Sequence, residues 1–212
     1  MSEPQASPPL ITEITPTYRV TRAFSKLWLA LYNRFEVRGR ENVPETGGVM
    51  IVANHASFLD IPIVAVSLPR HVCFVARETL ARSRFIAFQM REAGAVLIRR
   101  GSADRQALKD MLAHLAAGDC VAVFPEGTRT SDGSVGEFKA GALFAAKRAR
   151  VPVVPAAIEG AFEAFPRGAS LPRPRKIRVT YGEPIPGTEP DAMDRARAAI
   201  LAMIGDSGTS GV

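Results

Sequence analysis

Cysteine, histidine and tryptophan are scarce in this chain, with 2, 3 and 1 copies among 212 residues. Cys73 and Cys120 each sit inside an apolar run, His71-Val72-Cys73-Phe74-Val75 and Cys120-Val121-Ala122-Val123. Both are therefore read as core residues in a reducing compartment, with neither a disulfide framework nor metal-ligand spacing. His55, His71 and His114 have no zinc-type arrangement with one another, so they suggest no metal site, and no cofactor is expected. No stretch reaches the roughly 18 apolar residues that crossing a bilayer requires. Residues 1–9 lack the basic segment and apolar run of a secretory signal, and residues 1–16 are expected to form a polar, proline-rich, disordered lead. The missing span leaves attachment to a membrane surface open. There is no internal repeat.

What is present suits one domain: 47% of residues are hydrophobic, enough for a sizeable core, and 23% are charged. The net charge of +6 and pI of about 9.8 make polyanions the expected neighbours, whether nucleic acid, anionic lipid or phosphorylated substrates. The basic residues are dispersed and match no nucleic-acid-binding motif, so nucleic acid ranks last.

Strand and helix patterns alternate along the chain, and the expected fold class is α/β. A central mixed, largely parallel sheet is flanked by helices on both faces, with an N-terminal amphipathic helix. Buried strands are expected at 48–53, 72–76, 95–98, 119–124 and 151–158, and edge strands at 35–39 and 176–181. Helices are expected at 61–68, 78–92, 103–117, 140–149 and 191–204, the body of the domain being 37–204 and residues 205–212 a flexible tail.

Within the N-terminal helix, residues 17–36, the apolar residues Val20, Phe24, Leu27, Leu31 and Phe35 recur at helical spacing. Arg19, Arg22, Lys26 and Arg34 surround them. Such a helix can lie among lipid headgroups or dock its stripe on the domain core, and both readings remain open.

Two polar constellations close buried strands. The first, Asn54-His55-Ala56-Ser57-Phe58-Leu59-Asp60, sets an imidazole near a carboxylate at a loop-to-helix junction. Histidine titrates near neutrality, and a carboxylate beside it can fix its tautomer and stabilise the imidazolium. Either Ser57 or, better with Pro62 in the first turn, Asp60 would cap the following helix; Asp60 as a mere cap and His55 as an ordinary turn residue is the plainer alternative.

The second constellation is Phe124-Pro125-Glu126-Gly127-Thr128-Arg129. Here Gly127 lets backbone approach a ligand and Arg129 can grip a phosphate with two parallel hydrogen bonds. A surface Glu126–Arg129 pair in a polar turn is its plain alternative. Phe138-Lys139-Ala140-Gly141 then opens a helix whose N-terminal N–H groups could help hold an anion, and Arg99 and Arg100 end a further strand.

Four blocks in this order resemble the glycerolipid acyltransferase family, which includes lysophosphatidic acid acyltransferase. They are Asn54-His55 to Asp60, Gly94-Ala95-Val96-Leu97-Ile98-Arg99-Arg100 with Leu97 at the usual aromatic position, Phe124 to Arg129, and Val151-Pro152-Val153-Val154-Pro155. The resemblance implies an O-acyltransferase domain over 37–204. It would move a fatty acyl group from an acyl thioester, acyl-CoA or acyl-carrier protein, to the free hydroxyl of a lysophospholipid such as 1-acylglycerol 3-phosphate. His55 would be general base and Asp60 its orienting partner; Glu126, Gly127, Thr128 and Arg129 would hold the glycerol phosphate, with Arg100 in support. It implies no covalent acyl-enzyme and no metal. The basic helix at 17–36 then suggests a peripheral enzyme on the cytoplasmic face of an anionic membrane. A different acceptor (glycerol 3-phosphate, dihydroxyacetone phosphate or a lyso-aminolipid) and a non-catalytic lipid-binding module are the alternatives.

Overall fold

A computed structural model of the chain describes residues 15–77, 88, 90, 95–98, 105–139 and 141–209. Its centre is β2 (Val49–Ala53), every residue of which is buried. The run has no polar alternation because both faces are covered. Val49, Ile51 and Ala53 enter one apolar core, while Met50 and Val52 enter a second core behind the sheet.

Seven strands follow the order β1-β7-β6-β2-β5-β3-β4, with β8 joined to β6. These are β1 (Glu36–Arg38), β3 (Val72–Arg77), β4 (Val96–Ile98), β5 (Cys120–Val123), β6 (Pro152–Glu159), β7 (Arg178–Tyr181) and β8 (Ile185–Pro186). Strands β2 to β6 are mutually parallel, β7 and β8 run antiparallel to β6, and β1 is parallel to β7. The expected mixed, largely parallel sheet is what forms. One expectation is overturned: the alternation at 176–181 predicts an edge strand, yet β7 lies between β1 and β6, and β1 is the edge. Alternating side chains report which faces are covered, and β7 has one covered face whichever neighbours its backbone finds.

The two prolines of β6 fall where no ladder bond is lost. Pro152 is the first residue of the strand. Pro155 sits between the two residues paired with β8 and the four paired with β7, and its carbonyl accepts the Gly182 N–H at 2.9 Å.

Helices α1 (Pro16–Asn33) and α2 (Asp60–Ser67), with the short α5 (Ala161–Ala164), cover one face; α3 (Arg105–Ala116), α4 (Gly141–Ala149) and α6 (Ala192–Thr209) cover the other. Residues 205–209, expected in a flexible tail, continue α6. Phe88 and Met90 are helical, while the rest of the expected helix at 78–92 and the lead at 1–14 lie outside the described residues.

Helix α1 starts at Thr15, whose hydroxyl accepts the Tyr18 N–H at 3.1 Å, with Pro16 in the first turn. Its inward ridge is Tyr18, Leu29 and Asn33. The Asn33 amide donates to the carbonyls of Arg173 and Arg175, and the Arg22 guanidinium donates to those of Ala65, Leu68 and Pro69 at the end of α2. The apolar stripe therefore points outward: Val20, Phe24, Leu27 and Leu31 are 70%, 69%, 59% and 76% exposed.

Candidate active site

The polar groups gather where adjacent parallel strands send their chains to opposite faces. After β2 the chain enters α2 on one face; after its neighbour β5 it leads to α4 on the other. In open α/β sheets such a divergence, here at the C-terminal ends of β2 and β5, marks where ligands bind.

His55 follows β2 after the single residue Asn54. Its Nδ1 is 2.8 Å from Asp60 Oδ2, and the same oxygen accepts the N–H groups of Ala56 at 2.7 Å and Ser57 at 2.8 Å. Asp60 is fully buried, whereas the His55 side chain keeps 17% of its exposure. Neither expected cap forms. Leu59 is the N-cap and Asp60 the first helical residue. Its carboxylate folds back onto the loop, which shapes the turn around the imidazole. Ser57 Oγ accepts the Leu59 N–H and donates to the Phe165 carbonyl. With Nδ1 bound to the carboxylate, Nε2 is left to take a proton.

Asn54 holds this end of β2 in place. Its side-chain nitrogen donates to the Ile158 carbonyl at 3.0 Å and its oxygen accepts the Ile158 N–H at 2.8 Å. On the other side, the Phe124 ring stacks on the His55 ring with centroids 4.2 Å apart.

The segment after β5 wraps the backbone of His55. Phe124 to Gly127 make a turn with Pro125 second, closed by the Gly127 N–H to the Phe124 carbonyl at 3.0 Å. Glu126 Oε1 accepts the His55 N–H at 2.9 Å, and Thr130 donates its N–H to the His55 carbonyl at 2.9 Å. Glu126 also takes a backbone hydrogen bond from Gly136; its burial raises its pKa, opposed by those two bonds. This corrects the expectation that Glu126 holds phosphate. Glu126 is 8% exposed and its carboxylate faces backbone donors, where it braces the loop.

Gly127 has φ of +69°, in the left-handed region, and a Cβ there would stand 2.9 Å from Lys139 Nζ. Thr128 is exposed, and the Arg129 guanidinium lies 5.7 Å from the centre of the Phe58 ring. Among the described residues no carboxylate forms an ion pair with Arg129 or Lys139. Lys139 Nζ thus approaches Gly127, while Arg129 lies over Phe58. Farther out, Asp132 accepts from Thr130, Ser134 Oγ and Ser134 N–H, which hold its carboxyl below the usual range.

The fold thus brings together His55, Asp60, Glu126, Gly127, Thr128 and Arg129; Arg100 lies outside the described residues, just past the end of β4. Sequence reasoning missed the parts played by Asn54, Phe58, Phe124 and Lys139. Phe58 and Phe124 stood inside the two blocks, but no spacing tells which ring faces an imidazole or a guanidinium.

The Acyltransferase family profile matches residues 34–159, more than half of the chain. The chain belongs to the acyltransferase family. Among curated members, it is 32% identical over 185 residues to the chloroplastic 1-acyl-sn-glycerol-3-phosphate acyltransferase BAT2 of Brassica napus, covering 83% of this chain and 54% of that protein. It is 29% identical over 161 residues to 1-acyl-sn-glycerol-3-phosphate acyltransferase of Bacillus subtilis, covering 76% and 78%. The chain spans about half the length of the plant relatives it matches. The crystal structure of the 1-acyl-sn-glycerophosphate (LPA) acyltransferase PlsC from Thermotoga maritima superposes with a TM-score of 0.76 at 28% identity, over 92% of this chain and 80% of that one. This acyltransferase-family fold therefore extends beyond the matched profile to α1 and α6.

Proposed function

We propose that the chain is an O-acyltransferase that moves a fatty acyl group from acyl-CoA or acyl-carrier protein to the free hydroxyl of 1-acylglycerol 3-phosphate, giving phosphatidic acid. The observation that carries this reading is the His55–Asp60 pair at 2.8 Å, with Arg129 set against Phe58 of the same loop. Relatives named for that reaction support it.

In the proposed reaction, His55 Nε2 takes the hydroxyl proton as the acceptor oxygen attacks the thioester carbonyl. A C–O bond forms, and the carbonyl becomes a tetrahedral oxyanion. Collapse breaks the C–S bond, and the imidazolium returns the proton to the departing thiolate. Asp60 stabilises the imidazolium between the two steps and keeps Nε2 turned to the substrate. The acceptor itself supplies the nucleophile, so no acyl-enzyme is needed. Arg129 and Lys139 hold the phosphate, the guanidinium with two parallel bonds. Gly127 and Thr128 line the approach, and Arg100 remains a supporting cation in this proposal. No cofactor enters the reaction.

The enzyme would work as a peripheral protein on the cytoplasmic face of an anionic membrane. No described helix is long and apolar enough to cross one. The support is the outward stripe of α1 beside basic residues, which suits a helix lying in the headgroup region. Leu171, 76% exposed, continues this surface; the Tyr32 hydroxyl donates to the adjoining Pro172 carbonyl.

The test is acyl transfer from labelled acyl-CoA, and separately from acyl-carrier protein, to a panel of lysophospholipids, glycerol 3-phosphate and dihydroxyacetone phosphate. Fastest transfer to 1-acylglycerol 3-phosphate supports the reading. Preference for another acceptor overturns the substrate, and no transfer to any of them overturns the activity.

A further inference from the structure

The end of the sheet opposite His55 carries a second polar cluster. Cys73 is the second residue of β3, Asp119 immediately precedes β5, and His114 lies in the last turn of α3. Strands β3 and β5 pair in parallel with Cys73 opposite Val121. The connection from α3 turns at Gly118, and the Asp119 N–H reaches the His114 carbonyl at 3.0 Å. Register and turn together bring three side chains of different elements to one place. His114 Nδ1 is 2.8 Å from Asp119 Oδ2 and 3.6 Å from Cys73 Sγ. The three atoms lie within 4.8 Å of one another. His71 Nδ1 stands 3.8 Å from the same sulfur.

The cluster is enclosed: Cys73 is fully buried, His114 is 1% exposed and the Asp119 side chain 25%. It holds more polarity than internal bonding accounts for. The Nε2 atoms of His71 and His114 and the hydroxyl of Tyr18, whose ring packs 4.8 Å from that of His71, are buried without hydrogen-bond partners among the described residues.

We propose that Cys73, His114 and Asp119 form a binding site for a divalent transition metal of the zinc type. The donor set is thiolate, imidazole and carboxylate, which zinc takes in tetrahedral sites with metal–sulfur distances of about 2.3 Å and metal–nitrogen distances of about 2.0 Å. Those lengths put sulfur and nitrogen roughly 3.5 Å apart, close to the Cys73–His114 separation here. The His114–Asp119 pair, hydrogen-bonded without metal, must open by about half an ångström. Thiolate and carboxylate together neutralise the dication, which a buried site needs. Binding sends the Cys73 thiol proton to solvent and leaves the His114 proton on Nε2. The three ligands come from three parts of the chain, so the metal would tie β3, α3 and the start of β5 together. The expectation that this chain holds no metal rested on spacing along the sequence, and 41 residues separate Cys73 from His114.

Cobalt(II) titration of the full chain, purified without a histidine tag and stripped with chelator, tests the site. One equivalent should produce the thiolate-to-cobalt charge-transfer band in the near ultraviolet, with strong tetrahedral absorption in the visible. Cys120→Ser should keep the band, because Cys120 packs into the core on the opposite face of the sheet from Cys73. Cys73→Ser should lose it, and Asp119→Asn should weaken affinity by more than the ~10-fold typical of losing an outer-shell partner. A folded wild-type chain without the band, a band surviving Cys73→Ser, or binding only at millimolar cobalt overturns the proposal. If Cys73→Ser fails to fold, an unchanged affinity in Asp119→Asn overturns it instead.

Discussion

Replacing Asp60 by asparagine should lower turnover by about 10³- to 10⁴-fold while leaving the chain folded. Three N–H donors converge on Asp60 Oδ2, from the His55 ring, Ala56 and Ser57, at 2.7–2.8 Å. The asparagine carbonyl oxygen can keep both backbone bonds, each weakened from roughly 1.5–3 kcal/mol towards roughly 1 kcal/mol as the charge is lost. Sparing the burial of a charge offsets part of that, and a net loss of about 1–3 kcal/mol is expected. Alanine would be a poorer probe. It strands two backbone donors in a fully buried turn, at about 1–3 kcal/mol each, against a total stability of about 5–15 kcal/mol. For catalysis the amide can neither stabilise the imidazolium nor hold the same tautomer, a change worth about 10⁴-fold in triad hydrolases, or roughly 5.5 kcal/mol of barrier. Circular dichroism and thermal melting establish the fold, and acyl transfer at saturating substrates gives the rate. A folded Asp60→Asn chain within tenfold of wild-type turnover would refute the role given to this carboxylate.

Arg129→Ala should raise KM for phosphate-bearing acceptors by about 10- to 100-fold, corresponding to roughly 1.5–3 kcal/mol for a charge-assisted contact, and change kcat much less; an unchanged KM would remove Arg129 from the phosphate site. Phe24→Ser with Leu31→Ser should cut binding to anionic vesicles by about 100-fold or more, since each apolar side chain contributes roughly 1.5–3 kcal/mol on leaving water. Both residues are exposed, so the melting temperature should stay put, and equal sedimentation with vesicles would count against docking by α1. Glu126→Gln tests the buried brace through pH. A carboxyl whose folded pKa is raised contributes stability that is complete below its unfolded value near pH 4.3 and is lost as pH rises through the folded value. The wild-type chain should therefore lose ground in melting temperature relative to Glu126→Gln from pH 4 to pH 8. A difference that is flat, or that moves in favour of wild type, contradicts this.

Much of the architecture was legible because its signals are local. The apolar runs at β2 and β5 read as buried strands since nothing polar alternates in them, and the two blocks that follow them held the imidazole, the carboxylate and Arg129. What stayed hidden depends on partners distant in sequence. The stripe Val20, Phe24, Leu27, Leu31 has the same period whether it faces a core or the outside, and the docking of Tyr18, Leu29 and Asn33 turns it outward. The family resemblance sets Glu126 against the glycerol phosphate and its nearness to Arg129 suggests a surface pair; its inward turn follows instead from the backbone donors of His55 and Gly136. Asp60 read as a helix cap, but its carboxylate is drawn back by donors that precede it. Gly205 and Ser207 argued for a loose tail, yet α6 carries its helix through them to Thr209.

The account depends most on His55 as the group that accepts the acceptor's proton. Single-turnover acyl transfer to 1-acylglycerol 3-phosphate by His55→Ala, compared with wild type at matched circular dichroism, tests that directly. The reasoning predicts a rate at least about 10³-fold lower with acceptor binding retained, whereas a rate equal to wild type would contradict it.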